Sequence, residues 1–317
     1  MADVRFGMQL PSFSFPDSTE PLFETVKRIA RNAEAAGFDS FWVMDHFYQI
    51  RGVGPAEEPM LEGWLALAGV ASATERIRLG TMVSGNICRN PALLAKQATT
   101  LDVISNGRAF VGVGAGWNRE EAEGYGFEFP ESPGDRLRRL REALQVLTLM
   151  LSEERPSFRG KYYTIDRALN EPRPIQTPHP PILIGGTGER VTLRLVARYG
   201  DACNLFGGPD QVRHLLSVLR DHCRAVGRNY DDILKTSLGT VLIARDEQQL
   251  AQKLAAAAPD EAGRQALAAR VMSGTVAQIA EKVRALLDAG IDYPIVNFID
   301  PWEADTLPLF AEAVRLA

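Results

Sequence analysis

The chain has 317 residues, 45% hydrophobic and 24% charged, with a net charge of −5. That balance suits a globular protein with a large core, and the lack of any Lys/Arg block argues against a nucleic-acid partner. No run of about 18 apolar residues occurs, so no membrane span is expected.

The three cysteines, Cys88, Cys203 and Cys223, have no metal-like spacing and cannot all pair. The expectation is a cytoplasmic protein with reduced thiols and no metal site. The opening "MADVRFGMQL" lacks the apolar core of a signal peptide.

In chain order, strands are expected at 4–10, 40–45, 77–83, 108–114, 181–186, 202–206, 235–244 and 293–299. Each is a short apolar run bounded by polar or glycine-containing segments. Helices fall between them. Residues 136–151 place Leu137, Leu140, Leu144, Leu147 and Leu151 on one face. Residues 209–226 do the same with Val212, Leu215, Leu216, Leu219 and Cys223. Residues 275–289 open on a capping-box pattern, Thr275 and Gln278, and carry Ile279, Val283, Leu286 and Leu287.

Three junctions repeat a theme: "EAAGFDSFWV" (34–43), "VARYGDACNLF" (196–206) and "LLDAGIDYPIV" (286–296). Each runs from a helix end through a Gly and an Asp into an apolar strand. The glycine is expected in the left-handed conformation that ends helices. About eight strands alternating with helices imply a parallel sheet, and closure into a (β/α)8 TIM barrel is preferred over an open doubly wound sheet. The whole chain, 1–317, is expected to form one domain. Two insertions interrupt the rhythm: a proline-rich, irregular stretch at 156–181 and an Ala-rich, helical stretch at 245–274.

In such a barrel the chemistry sits at the C-terminal ends of the strands. Polar residues there are Asp45 and His46 after strand two, Ser84 and Asn86 after strand three, and Asn118 after strand four. Asn204 and Asn297 lie in strands six and eight. "GGTGE" (185–189) ends strand five and is expected to open a helix, where backbone N–H groups could receive a phosphate. "GVGAG" (112–116) has two of the three glycines of a dinucleotide fingerprint, but no obvious long helix follows it. Asp45 and His46 are adjacent, so they point to opposite sides: one can face the pocket while the other supports it. A histidine suits proton transfer near neutral pH, whereas Trp42 and Trp117 are expected to pack.

With "GFDSFWVMDHF", "RLGTMVSGNICRNPALLAKQATTLDVISNGRAFVGVGAGWNREEAEGYGFEFP", "PILIGGTGERVTLRLVARYGDACN" and "SGTVAQIAEKVRALLDAGIDYPIVNF", nearly the whole chain resembles the bacterial luciferase-like superfamily, in its coenzyme F420-dependent branch. The resemblance implies a barrel with a flavin or deazaflavin at its C-terminal mouth. It also implies a non-proline cis peptide at Met82-Val83 that supports the ring. Asp45 and His46 would stand near the ring as catalytic residues, and Ser84 and Asn86 near it. Ala115, Gly116, Trp117 and Asn118 would lie along the cofactor, and Gly185, Gly186, Thr187 and Gly188 near its phosphate.

Some deazaflavin dehydrogenases of the family carry a catalytic Glu where this chain has Trp117. Sugar-phosphate oxidation by that mechanism is therefore not expected, and Glu120 and Glu121 are not assigned the role. The "DHF" after strand two favours F420 over a reduced-FMN monooxygenase, which is the alternative; a barrel without cofactor is a third reading. The loops 47–60, 156–180 and 245–274 would contact a small organic substrate, and homodimers are common in the family.

Overall fold

A computed structural model describes residues 4–16, 19–258 and 260–317. Eight strands form the barrel: β1 (Gly7–Leu10), β2 (Ser40–Val43), β3 (Arg78–Thr81), β4 (Ala109–Gly114), β5 (Ile182–Gly185), β6 (Ala202–Leu205), β7 (Leu234–Ala244) and β8 (Tyr293–Phe298). Every pairing is parallel, and β8 pairs with both β7 and β1, so the ring closes. The closed (β/α)8 barrel is thus the fold, and the open sheet is excluded.

The strands are apolar on both faces because one face meets the helices and the other fills the barrel. Trp42, Phe110, Leu183, Tyr293 and Ile295 pack into that interior. The Trp42 and Phe110 ring centroids are 4.9 Å apart. A Cβ on Gly80 would lie 2.5 Å from the Trp42 ring, so a glycine is required to seat the indole. Trp42 Nε1 donates to Ser40 Oγ at 2.6 Å, which satisfies its one buried polar atom. These rings make a solid floor beneath the mouth.

The helical layer follows its apolar spacing. In Pro209–Val226, Val212, Leu215, Leu216, Leu219 and Cys223 are all buried, as expected. Each buried leucine contributes about 1.5–3 kcal/mol. In Pro133–Ser152 the stripe from Leu140 to Leu151 is buried, and Leu137 is only half-buried at its end. The capping box at Thr275 and Gln278 opens Val276–Asp288.

The repeated glycines divide. Gly37 (φ 94°) and Gly290 (φ 102°) take the left-handed conformation, but Gly200 is extended (φ −85°). Gly200 is there for space: a Cβ would lie 3.1 Å from the Val196 carbonyl oxygen. Two of the repeated aspartates bond neighbouring strand starts. Asp201 Oδ2 accepts from Ile182 N (2.8 Å), and Asp292 Oδ2 accepts from Lys235 N (3.2 Å).

The proline-rich stretch is less irregular than expected. It holds a short antiparallel hairpin, Phe158–Arg159 with Thr164–Ile165. Its turn is anchored on Glu142, which accepts from Lys161 N (2.9 Å) and Tyr162 N (2.7 Å). The Ala-rich stretch is helical at Glu247–Ala257 and Glu261–Arg270, then adds a strand, Met272–Thr275, alongside β7. No helix among the described residues is long and apolar enough to cross a membrane.

Candidate active site

β2 ends at Val43, and the next turn carries Asp45 and His46 to different partners. The Asp45 side chain is 1% exposed. It accepts from Ser84 Oγ at 2.5 Å and from Arg89 Nε at 2.9 Å, with Arg89 Nη2 on its other oxygen. Arg89 Nη2 also reaches Glu62 Oε1 at 2.5 Å. Burial works against the Arg89 charge, but Asp45 and Glu62 outweigh it and hold the guanidinium above its ordinary value. Asp45 is therefore the support.

His46 faces the mouth. Its Nδ1 lies 3.0 Å from Glu121 Oε2. An ionised carboxylate only accepts, so Nδ1 carries the proton and donates. Glu121 is 4% exposed and also accepts from Phe47 N at 2.8 Å, which ties it to the same turn. The His46 Nε2 has no hydrogen-bond partner among the described residues. Trp117 is 59% exposed and stands edge-on to the imidazole, with ring centroids 5.4 Å apart.

After β3 the Met82-Val83 peptide is cis, and the chain resumes at Ser84–Gly85 beside β4. Gln9 Nε2 donates to the Met82 carbonyl at 3.0 Å, and Asn297 Nδ2 donates to Gln9 Oε1 at 3.2 Å. Strands β8, β1 and β3 are so linked across the mouth. The bulge also explains the glycines of "GVGAG". A Cβ on Gly112 would meet the Thr81 carbonyl oxygen at 1.8 Å, and one on Gly114 would meet Val83 Cγ2 at 2.8 Å. A Cβ on Gly185 of β5 would lie 3.0 Å from the same methyl. These glycines are spaced to admit the bulge, which accounts for their partial likeness to a dinucleotide fingerprint.

Above the floor lies a cavity of about 440 Å³. Asp45, His46, Met82 and Val83 line it, as do Ala115, Gly116, Trp117 and Asn118. Of the expected residues Gly185 and Gly186 also line it, and so do Gln9, Asn204, Asn297, Cys88 and Glu121. Five glycines, at 85, 114, 116, 185 and 186, give the wall beside Val83 a bare backbone surface. Such a wall, with few converging polar groups, fits a flat ring system.

Four expected residues stand elsewhere. Ser84 is fully buried behind the wall, where Trp64 Nε1 donates to it at 3.1 Å and it donates to Asp45. Asn86 is also behind the wall and accepts from Tyr163 OH of the insertion hairpin at 3.3 Å. Thr187 and Gly188 do not line the cavity, and the helix after β5 begins only at Thr192, with no capping side chain. The intervening turn is held from the side: Glu189 is bonded by His214 (3.1 Å) and, through its carbonyl, by His222 (2.7 Å). The helix terminus expected at 188 is therefore displaced from the glycines.

Glu121, Arg89 and Gln9 were not assigned to the site from sequence. Glu121 had a local signal: "NREE" is an N-cap followed three residues later by an acid. Asn118 does cap that helix, but the Glu121 side chain turns to His46 instead of the cap.

The closed barrel with a glycine-walled cleft at the C-terminal ends of its strands defines a TIM-barrel protein. The family model described as luciferase-like monooxygenase matches residues 4–258, and the chain belongs to that family. It is similar to an F420-dependent glucose-6-phosphate dehydrogenase of Kineococcus radiotolerans, 31% identical over 314 residues, covering 88% of this chain and 91% of the relative. Among solved structures, monooxygenase RslO1 from Streptomyces bottropensis superposes with a TM-score of 0.79 at 26% identity, covering 97% of this chain and 98% of that one. An F420-dependent secondary alcohol dehydrogenase, in complex with an F420-acetone adduct, shares the fold with a TM-score of 0.80 at 21% identity, covering 99% of each chain.

Proposed function

We propose that this chain is a coenzyme F420-dependent oxidoreductase that exchanges a hydride with a small organic substrate. The observation that carries the reading is the His46 and Glu121 pair, with Nε2 unpartnered beside a glycine wall and the Val83 bulge. The relative named as F420-dependent, similar along most of both chains, supports the choice of cofactor.

In this reading Val83, Gly114, Ala115, Gly116 and Gly185 hold the ring, and Gly186 lies toward its phosphate. F420, when bound, supplies a two-electron hydride acceptor or donor at C5 of the deazaflavin. His46 Nε2 balances the charge: it takes the hydroxyl proton as an alcohol becomes a carbonyl, and returns it in reverse. Glu121 fixes the tautomer that leaves Nε2 able to accept. Asp45, held by Ser84 and Arg89, sets the turn that aims the imidazole. Trp117 borders both ring and substrate, and Asn118 positions Glu121 through the helix cap.

The chain is taken to act as one barrel unit and to pair with a second copy. The exposed Leu65 and Leu93, on helices Gly63–Ala71 and Pro91–Ile104, support a paired face. Light scattering on the Leu65→Glu, Leu93→Glu double variant would then show a monomer.

The deciding experiment titrates the purified protein with F420 and with FMN. Saturable F420 binding with weak FMN binding is expected. Tight FMN binding without F420 would overturn the reading in favour of a reduced-FMN monooxygenase, the alternative that the likeness to RslO1 favours.

A further inference from the structure

We infer that the substrate taken by this mouth is an uncharged, largely apolar alcohol, ketone or enone, and that phosphate- or carboxylate-bearing analogues are rejected. The inference rests on the cofactor reading above, because ring and substrate are taken to share one cavity.

Charge is the first ground. Among the described residues, no Lys or Arg lines the cavity. Two carboxylates, Asp45 and Glu121, do. The nearest buried cation, Arg89, lies behind the wall and is already shared by Asp45 and Glu62. One positive and two negative charges leave that cluster at −1, with nothing to offer an incoming anion. Glu121 stands one imidazole away from the open Nε2, so an anionic group placed beside His46 would face it. Like-charge juxtaposition in an enclosed site costs several kcal/mol, roughly 100-fold in affinity.

Lining chemistry is the second ground. Ile50, Val53, Ile87, Phe206 and Leu238 surround the opening, and Val53 and Phe206 are exposed apolar side chains without cover. Cys88 adds no charge, since burial, with Glu121 and Asp45 nearby, pushes its thiol up to about 12. The polar groups that converge are few and mostly committed: Gln9 to Met82 and Asn297, and Asn204 to Thr236. His46 Nε2 is open to meet a substrate oxygen, and the side-chain amide atoms left open on Asn118, Asn204 and Asn297 are neutral. The basic residues farther out, Arg51 and Arg270, are solvent-exposed and outside the lining. Salt screens charges in that position. Gly185 and Gly186 give the lining bare backbone, and the cofactor reading uses both.

A cavity of about 440 Å³ lies at the lower end of the range for single drug-sized ligands. Shared with a ring system, it leaves room for a small molecule.

The test uses a matched pair of one shape: cyclohexanone and 4-oxocyclohexanecarboxylate, with cyclohexanol and 2-cyclohexenone as further neutral probes. Binding is read from the fluorescence of Trp117 at the cavity mouth, with Trp117→Phe as the control that assigns the signal. Steady-state turnover with F420 is measured in parallel. The neutral probes are expected to bind in the millimolar range or tighter, and the carboxylate roughly 100-fold more weakly. Placing a cation in the lining, by Leu238→Lys or separately Ile87→Lys, should recover carboxylate binding.

Equal or tighter binding of the carboxylate to the native protein overturns the inference, and so does the failure of every neutral probe. F420 titration keeps the two readings apart. F420 binding with a preference for the carboxylate sinks the substrate class alone. Neutral binding without F420 binding sinks the cofactor reading and leaves the polarity of the cavity standing.

Discussion

The two ends of this barrel use the same kinds of side chain to opposite ends. At the N-terminal end, charges are consumed by backbone. Arg108 donates to the carbonyls of Ala71, Thr74, Ile77 and Ser105. Asp102, fully buried, accepts from Ile175 N (2.7 Å), Gln176 N (3.0 Å) and Gln176 Nε2 (2.6 Å). At the mouth, Asp45, Arg89 and Glu121 are held as firmly, yet the bonding stops one atom short, at His46 Nε2. A bound charge with no open atom stabilises a fold, whereas a firmly held ring with one open nitrogen can do chemistry.

The contrast breaks first at His46. His46→Ala should cut turnover roughly 100- to 10,000-fold, while F420 affinity and thermal midpoint stay near native values. Loss of binding or folding to the same degree would make His46 another structural residue.

Asp102→Ala should do the reverse. It removes the acceptor of three backbone N–H groups, those of Ile175, Gln176 and Ala109, and one bond of the Gln176 amide, at about 3 kcal/mol. A thermal melt should move down by several degrees, and turnover per folded molecule should hold. A large loss of activity in the remaining folded protein would blur the two ends.

Glu121→Gln tests the link between holding and reacting. Turnover should drop about 10-fold and the pH profile of kcat/KM should move, because the neutral amide no longer fixes the Nδ1–H tautomer as firmly. An unmoved profile would leave Glu121 as a brace for the Phe47 turn.

The smallest effect belongs to Cys88, which lines the mouth but has no assigned role. Cys88→Ala should keep turnover within about twofold of native, as a half-buried neutral thiol takes no part in proton transfer. Its thiol, raised from 9.0 to about 12, should react with iodoacetamide at pH 8 roughly 1,000-fold more slowly than an ordinary thiol. The folded value is the higher one, so the stability linked to it is full below pH 9 and is lost as pH rises toward 12. Rapid labelling of the folded protein would show the thiol to be less enclosed than described.

Periodicity made the barrel legible, because apolar spacing repeats within each helix and strand. The stripe at Val212 to Cys223 needed no knowledge of what it packs against. The tip of β2 was legible as well, since a barrel places strand ends at the mouth. The division of labour between Asp45 and His46 was not. It depends on Arg89, 44 residues away, and on Glu121, 75 residues away. Ser84 and Asn86 were expected beside a cofactor and lie behind the wall, because they alternate with Val83, Gly85 and Ile87, which line it, and bond Asp45, Trp64 and Tyr163 instead. The helix after β5 starts at Thr192, and the turn before it is tied through Glu189 to His214 and His222, contacts that sequence spacing does not reveal.

The chain from Asn297 through Gln9 to the Met82 carbonyl has a consequence for synthesis. Its first member sits on β8, the last strand to leave the ribosome. A nascent chain with seven strands in place can form the Gln9 bond to Met82 but lacks Asn297 behind it, so the link across the mouth is finished only when the barrel shuts. Ligand capture would then serve as a reporter of completed assembly, and a chain cut short of Asn297 would lose the link along with its eighth strand.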